Sequence, residues 1–345
     1  MSARRIFSCW RGVIERRACV SGRAMLALVL FSGLVDPLWA DTPILPTDRL
    51  SVAQFQARLA SSARGANPTA IADRDFLFAV RHKSPKTIMR MLDAGANLRA
   101  TDPDGRTVLI MAAARGHAKL VEVLLAEPAV RHQLNATDRH RWTPLMVAAA
   151  HGHQRVVEVF LAQPHIDVNM TDEYGWTALM IAALQGELAV VKRLVAHPRT
   201  NPNLRNFSGR TALMEAVDKN LLSVVQFLAG HTKIDLNVRQ INFGTTALML
   251  AADQGNREIV EVLVRHPQVQ INAQDRDGQT ALMLAARQGH KAVVDLLLAH
   301  PLITTISLDH FGWNALRWAD SSDHREVADA IEHQPRRLGC AQIFL

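Results

Sequence analysis

One eleven-residue phrase recurs along this chain and limits what the chain can fold into. TALMLAADQGN begins at Thr246 and TALMLAARQGH begins at Thr280, and nine of the eleven letters are identical. Further copies begin at Thr107, Thr143, Thr177 and Thr211, with weaker ones at Asn314 and Asp75. From Thr107 to Asn314 the steps are 36, 34, 34, 35, 34 and 34 residues. Spacing this regular predicts a fold built from stacked repeats.

Each copy indicates two helices followed by a projecting turn. The opening threonine is a helix N-cap, because its hydroxyl can accept a hydrogen bond from a free amide of the first turn. The short Ala-rich helix is apolar nearly all round, which predicts burial between neighbours. A glycine such as Gly255 ends it, and a second helix carries one apolar stripe, as from Ile259 to Val264. Pro267 closes that helix, and a turn rich in Asp and Gly follows.

One such unit cannot bury its own apolar faces, whereas a stack of units can, so the chain is predicted to be an all-α solenoid. The pattern resembles the ankyrin repeat, whose first helix opens T-P-L-H-x-A. The resemblance covers residues 71–332, with about eight copies, the terminal ones degenerate. The segment that follows the second helix, such as QPHIDVN, is one residue longer than the family's usual one, which contains Gly-Ala-Asp. This explains a period of 34 residues rather than 33. Methionine replaces the histidine of the family at Met146, Met180, Met214, Met249 and Met283.

The first 40 residues have the pattern of an export signal. Six arginines precede the apolar run Ala24–Val35, and LWA ends at Ala40, where cleavage is expected. Twelve apolar residues are too few to span a bilayer, so the protein is expected to be periplasmic or secreted, with an uncleaved anchor as the alternative. Residues 41–70 are expected to form an N-terminal lead that can include a capping helix, and residues 333–345 a C-terminal tail.

Removal of residues 1–40 changes the charge and the cysteine content. These residues hold six arginines and two acidic residues, so the net charge falls from +7 to +3. This excess is too small to predict a nucleic-acid surface. Cys340 becomes the single remaining cysteine, which excludes an internal disulfide and leaves either an incidental tail residue or an intermolecular bridge. No stable membrane insertion is expected after cleavage.

The sequence lacks the motifs of common enzymes and metal sites. It has no G-x-S-x-G, P-loop, paired Cys or H-E-x-x-H pattern, and the resemblance implies a non-enzymatic protein. Methionine thioethers suit soft metals, but side chains that recur once per repeat lie about 8–10 Å apart. Two ligands of one ion must lie much closer than this. We therefore expect no metal and no cofactor.

The predicted finger turns are unusually rich in aromatic residues for loops that face water. Rings on a rigid scaffold are typical of protein interfaces. The ankyrin resemblance further implies that the fingers and the exposed end of each first helix line a concave groove. The predicted partner-binding residues are Arg106, Arg115, Trp142, His151, Tyr174, Trp176, Phe207, Arg210, Lys219, Phe243, Arg276, Arg287, Phe311 and Trp313.

These observations favour a non-enzymatic module that binds a protein with an acidic or neutral surface in the periplasm, and not nucleic acid. Two alternatives remain open. The first is an immunity or inhibitor protein that blocks a periplasmic toxin or enzyme and therefore has one tight partner. The second is an oxidative-stress protein that acts beside a catalase-type enzyme or through its methionine ladder, for which reversible oxidation of Met180 and Met249 is required.

Overall fold

The computed structural model describes residues 72–333, in which the regular elements are helices apart from a single bridge between Thr101 and Thr107. The predictions for the export signal, the N-terminal lead and the tail beyond residue 333 lie outside the described residues. The helices form successive pairs: α1 (Asp73–His82) with α2 (Pro85–Asp93), α3 (Val108–Ala114) with α4 (Ala118–Ala126), α6 (Pro144–Ala150) with α7 (Gln154–Leu161), α8 (Ala178–Gln185) with α9 (Leu188–Ala196), α10 (Ala212–Asp218) with α11 (Leu222–Ala229), α12 (Ala247–Asp253) with α13 (Arg257–Val264), α14 (Ala281–Gln288) with α15 (Lys291–Ala299), and α16 (Ala315–Ser321) with α17 (Arg325–Glu332).

Two departures from the 34-residue step have visible structural causes. The 36-residue step contains α5 (Pro128–Arg131), a four-residue helix that starts at the proline expected to end the second helix. The 35-residue step contains a finger that is one residue longer than its neighbours, with Gln240 at its start and Thr246 at its end. The insertions therefore lie between helix pairs and leave the packing of the pairs in register.

The pairs stack so that first helices pack on first helices and second helices on second helices. Alanines such as Ala251, Ala252, Ala285 and Ala286 are fully buried between neighbouring first helices. Their small side chains allow neighbouring helices to approach closely, and their burial is as the sequence predicts. The result is an all-α solenoid of helix-turn-helix repeats, as expected.

The threonine caps form as predicted, and the methionines add to them. In the six copies from Thr107 to Thr280, the threonine hydroxyl accepts a hydrogen bond from the amide three residues later. In three copies the threonine amide in turn donates to a methionine thioether at 3.4–3.5 Å, as from Thr246 to Met249. Methionine thus occupies the position of a capping-box acceptor and also fills the core.

An asparagine ladder, which the sequence analysis missed, joins the loops that follow the second helices. The Asn169 side chain accepts from the Asn201 amide at 2.9 Å and donates to the Arg199 carbonyl at 2.8 Å, both in the next repeat. Asn135, Asn203, Asn237 and Asn272 make the same pair of bonds. Each side chain satisfies two backbone groups, which fixes the register of one loop on the next.

Histidines that follow the glycine turns connect neighbouring repeats. His153 Nε2 lies 2.9 Å from the Ala114 carbonyl, and His290 Nε2 lies 3.0 Å from the Asp253 carbonyl, in each case in the preceding repeat. Residues 72–333 contain no cluster of His, Cys, Asp and Glu suited to a metal ion. Within the same range, no helix has the length and apolar character needed to cross a bilayer.

Candidate protein-binding surface

The fingers are built on one repeated carboxylate or amide. In the finger at residues 172–177, Asp172 Oδ1 accepts hydrogen bonds from the amides of Tyr174 and Trp176 at 2.9 and 2.8 Å. The same two bonds, at 2.8–3.1 Å, form at Asp102, Asp138, Asn206, Asp275 and Asp309. Burial raises the pKa of the Asp172 carboxyl, and these amide bonds oppose the rise.

Backbone hydrogen bonds also connect each finger tip to the one before it. The Phe207 amide donates to the Tyr174 carbonyl at 3.0 Å, and the Ile241 amide donates to the Ser208 carbonyl at 3.3 Å. The Arg276 amide continues the series with a bond to Phe243 at 2.8 Å. The tips therefore form a continuous, mutually supported edge of the stack, and side chains on it are held at fixed spacing.

Three successive tips of this edge carry exposed apolar side chains. The exposed fractions are 43% for Tyr174, 71% for Phe207 and 45% for Ile241. Although it is exposed, the Phe207 ring packs against the backbone of Gly175. A β-carbon at Gly175 would lie 2.9 Å from the ring. We call Tyr174, Phe207 and Ile241 the central tip strip.

The fourteen residues predicted to bind a partner fall into three groups. Six are exposed: Arg115, Tyr174, Phe207, Lys219, Arg276 and Phe311. Six are half-buried: Trp142, His151, Trp176, Phe243, Arg287 and Trp313. Two are buried: Arg106 and Arg210. The structure brings Tyr174 and Phe207 together on adjacent tips.

The prediction that Arg106 and Arg210 contact a partner must be corrected. Arg106 is 2% exposed, and its guanidinium lies 3.2 Å from the Asp104 carboxylate and 3.7 Å from that of Asp102. Arg210 is likewise enclosed, and its Nη2 lies 3.0 Å from Asp218 Oδ1. Both residues follow a finger glycine, a position that points into the stack. Arg106 pairs with carboxylates of its own finger, whereas Arg210 joins its finger to the first helix of the same repeat.

Arg210 belongs to a buried polar cluster that the sequence analysis did not identify. Glu215 in α10 is fully buried at a position where other repeats have apolar residues such as Ile181 and Leu250. Its Oε1 lies 3.2 Å from Arg210 Nε and accepts a hydrogen bond from Asn206 at 3.2 Å, whereas its Oε2 has no hydrogen-bond partner. Burial raises the pKa of Glu215 to about 7, against the opposing effect of Arg210.

This cluster explains why one finger differs from the others. Asn206 replaces the aspartate of the other short fingers, and its amide nitrogen donates to Glu215. An aspartate there would place a second carboxylate against the buried one. Trp318 occupies the position equivalent to Glu215 in the last repeat, and its indole nitrogen donates to Asp309 at 2.8 Å. In these two repeats the first helix therefore supports the finger through a side-chain hydrogen bond.

Trp142 and Trp313 of the fingers contact neighbouring side chains of the stack. The Trp142 side chain reaches the carboxyl of Asp172 in the next finger, where its hydrogen bond partly offsets the rise in pKa caused by burial. Trp313 lies between the Trp318 ring, at 4.7 Å, and the Arg317 guanidinium, at 4.9 Å. Trp142 and Trp313, which the sequence analysis assigned to partner binding, therefore also have a packing role.

We expect Trp142→Ala to lower the free energy of unfolding by about 2 kcal/mol, because it removes a half-buried ring and a hydrogen bond. Phe207→Ala, its matched control on an exposed ring, should change it by less than about 0.5 kcal/mol. Chemical denaturation followed by circular dichroism measures both. Equal effects of the two substitutions would contradict this assignment.

Exposed aliphatic residues are absent from the surface that the sequence predicted, which consists of aromatic and basic residues. Ile241 completes the central tip strip. A separate group of exposed apolar residues, Leu302, Ile306 and Leu308, lies in the loop before the last finger. Ile306 stands where preceding loops have the ladder asparagine. Whether an aliphatic side chain is exposed depends on how neighbouring repeats pack against it. The periodic pattern alone does not show this.

The methionine ladder is not accessible to solvent. Met146, Met180, Met214, Met249 and Met283 are each 1% exposed. Oxidation of a buried thioether places a polar oxygen in the core. The oxidative-stress alternative based on Met180 and Met249 therefore has no support from their placement.

The comparisons with known proteins agree with this architecture. A family model described as ankyrin repeats (3 copies) matches residues 76–172, 159–240 and 248–334. Because these matches cover more than half of the chain, the chain belongs to the ankyrin-repeat family, whose members are protein-interaction modules and generally non-enzymatic. The resemblance stated from the sequence is confirmed. No curated protein matches the chain.

Two solved structures are similar to the chain. The ankyrin repeat domain of Bcl-3, a member of the IkappaB protein family, has 25% sequence identity and a TM-score of 0.61. That match covers 66% of this chain and 99% of the other. The second is one chain of the complex of the predatory endopeptidase Bd0816 from Bdellovibrio bacteriovorus with immunity protein Bd3460, with 30% identity and a TM-score of 0.49 over 55% of this chain and 97% of that one.

Proposed function

We propose that this protein is an exported, non-enzymatic binding protein whose partner is another protein and whose contact surface is centred on the finger tips. The observation that carries the proposal is the central tip strip, three exposed apolar side chains on successive fingers. Such side chains contribute little to the stack while they stay in water. A partner that covers them gains the free energy of apolar burial.

The rigidity of the fingers supports the same proposal. Two amide bonds to each finger carboxylate or amide and a backbone bond to the preceding tip hold Tyr174 and Phe207 before any partner arrives. A surface that is already ordered loses little conformational entropy on binding. Large, preorganised apolar side chains are the residues that dominate protein interfaces.

The exposed ends of the first helices favour a partner with an acidic or neutral surface. Arg115, Lys219 and Gln254 are exposed there, and His151 and Arg287 are half-buried. Asp218, next to this row, pairs with Arg210, and Asp253 pairs with Arg287, so the Arg287 guanidinium is itself engaged. The cations that the row offers to a partner are therefore Arg115 and Lys219.

Export is part of the proposal and rests on the sequence of residues 1–40. We expect the protein recovered from the periplasm to begin at Asp41, because cleavage after Ala40 follows the apolar run and the small residue. Amino-terminal sequencing of the recovered protein measures this directly. A chain that begins at Met1, or that is recovered solely from the cytosol, would contradict export.

The binding surface is tested with two matched triple variants. One replaces Tyr174, Phe207 and Ile241 by Ser, and the other replaces Leu302, Ile306 and Leu308 by Ser. Each variant removes three exposed apolar side chains. Any loss of capture that comes merely from a more polar surface is therefore equal in the two variants. Affinity capture from periplasmic extract with quantitative mass spectrometry should lose the specific partner with the first variant and retain it with the second.

The identity of the captured protein then separates the modes of action. One stoichiometric enzyme whose activity falls on binding indicates an inhibitor or immunity protein. Several partners bound through the same fingers indicate a scaffold. Equal capture by both triple variants and by the unmodified chain would overturn the proposed surface.

A further inference from the structure

We infer that the partner occupies the central tip strip with an amphipathic α-helix that carries carboxylates beside its apolar face and runs along the stack. This inference rests on the proposed function and specifies the partner structure that the strip recognises. The spacing of the tips, the engaged finger backbone and the charge next to the strip support it.

Spacing is the first argument. Tyr174, Phe207 and Ile241 belong to successive repeats, and packed helices of neighbouring repeats lie about 8–10 Å apart. Seven residues of an α-helix advance about 10.5 Å, at 1.5 Å per residue. Apolar side chains that recur once every seven residues on one face of a partner helix therefore meet the three tips in succession.

An extended strand fits the same three tips poorly. Three residues of a strand also advance about 10 Å, but side chains alternate between faces. A strand that contacts Tyr174 and Ile241 would turn its middle side chain away from Phe207. The tip backbone is also engaged, because the Phe207 and Ile241 amides already donate to the preceding tips. Strand addition, which relies on free backbone groups, has little to pair with here.

Width is the second argument. In the fifth repeat, α10 separates the finger from Lys219 and spans about 10 Å at 1.5 Å per residue. An α-helix with side chains is about 10–12 Å across. A helix that rests its apolar face on the tips can therefore direct a flanking side chain towards the row of first-helix ends. A polyproline II segment advances about 9 Å per turn. It is narrower than an α-helix, however, and would not reach both the finger tips and the row of first-helix ends.

Charge is the third argument. Lys219 is exposed at the end of α10, and the adjacent Asp218 is already paired with Arg210. Arg276 is exposed at the tip that follows the strip, and Arg139, exposed at the tip before it, lies 3.5 Å from Asp104. Glu173 is the carboxylate beside Tyr174, and it lies 2.8 Å from His140. Carboxylates along the flank of the partner helix match this distribution, whereas lysines would be repelled.

The test uses the full chain in the form that the cell produces and labelled peptides of about 21 residues. The first peptide is helical, with Leu at seven-residue spacing and Glu on one flank. The second peptide has the same composition with Leu at alternate positions, and the third has Lys in place of Glu. The fourth is a polyproline II sequence with the same apolar residues. Fluorescence anisotropy gives each affinity at low and physiological salt.

We expect the acidic helical peptide to bind at least tenfold more tightly than the other three. Phe207→Ser should weaken its binding at least tenfold, and Lys219→Glu should weaken it about threefold or more and reduce its salt dependence. The matched control Ile306→Ser, which changes an exposed apolar residue outside the strip, should leave the affinity unchanged. Thermal denaturation of each variant confirms that the compared proteins are folded.

The inference is overturned if any control peptide binds as tightly as the acidic helix, if none of the peptides binds, or if Phe207→Ser has no effect. These results are distinguishable from failure of the proposed function. If the triple strip variant loses the captured partner while the acidic helix does not bind, the strip is a protein-binding surface for a different structure. If neither test depends on the strip, both proposals fail.

Discussion

Replacement of Arg210 by Met is expected to lower the free energy of unfolding by about 3 kcal/mol. Methionine keeps much of the apolar volume but leaves the buried Glu215 without the guanidinium that faces it at 3.2 Å. Removal of one partner of a buried ion pair is costly because the other charge remains desolvated. Urea denaturation at pH 8 measures the change, because Glu215, whose pKa burial raises to about 7, is then mostly ionised.

Two controls separate the loss of the ion pair from loss of packing. Arg139→Met removes an exposed guanidinium and should change stability by less than about 0.5 kcal/mol. In the double variant Arg210→Met, Glu215→Leu the desolvated carboxylate is absent, so most of the stability should return. If the double variant is as unstable as Arg210→Met alone, the loss arises from packing and the ion pair is not its cause.

The second large effect is a dependence of stability on pH. Burial raises the pKa of Glu215 from 4.5 to about 7, so the folded chain favours the protonated carboxyl. The stability that this group contributes is therefore fully present below about pH 4.5 and is lost as the pH rises through about 7. The difference in pKa corresponds to about 3 kcal/mol.

Glu215→Gln isolates this contribution. Glutamine is neutral at every pH and keeps an oxygen that can accept the Asn206 hydrogen bond. We expect the variant to equal the unmodified chain below about pH 4.5 and to be more stable by up to about 3 kcal/mol above pH 7. Histidines titrate in both proteins, so their effects cancel in the difference. The free energy of unfolding of both proteins is measured from pH 4.5 to 8. A constant difference between them over this range would contradict a buried carboxyl that titrates.

The repeat pattern was sufficient to predict the helices and their caps. A threonine that opens each first helix and a glycine that ends it act within one turn, so Thr246 and Gly255 can be interpreted from local chemistry. Stacking followed from the same pattern, because units with two apolar faces must bury them against copies of themselves. The asparagine ladder was missed, because its bonds join residues about 30 positions apart and depend on the register of neighbouring loops.

The surface was harder to predict, because exposure depends on what the adjacent repeat places over each side chain. Arg210 and Trp142 occupy equivalent positions, because each directly precedes the threonine that caps the first helix. Both side chains turn into the stack. Phe207 lies only a few residues from Arg210 and remains mostly in water. The sequence therefore identified the fingers as unusual, but the stacked structure was needed to separate rings that pack from rings available for contact.

The most direct test of the account is site-specific photo-crosslinking in living cells. A photo-reactive amino acid is placed singly at Tyr174, Phe207 or Ile241, and at Leu302, Ile306 or Leu308 as exposed controls. The account predicts the same protein adduct from all three strip positions and no such adduct from the three controls. Adducts from the controls in equal yield, or the absence of an adduct from every strip position, would contradict a partner bound at the finger tips.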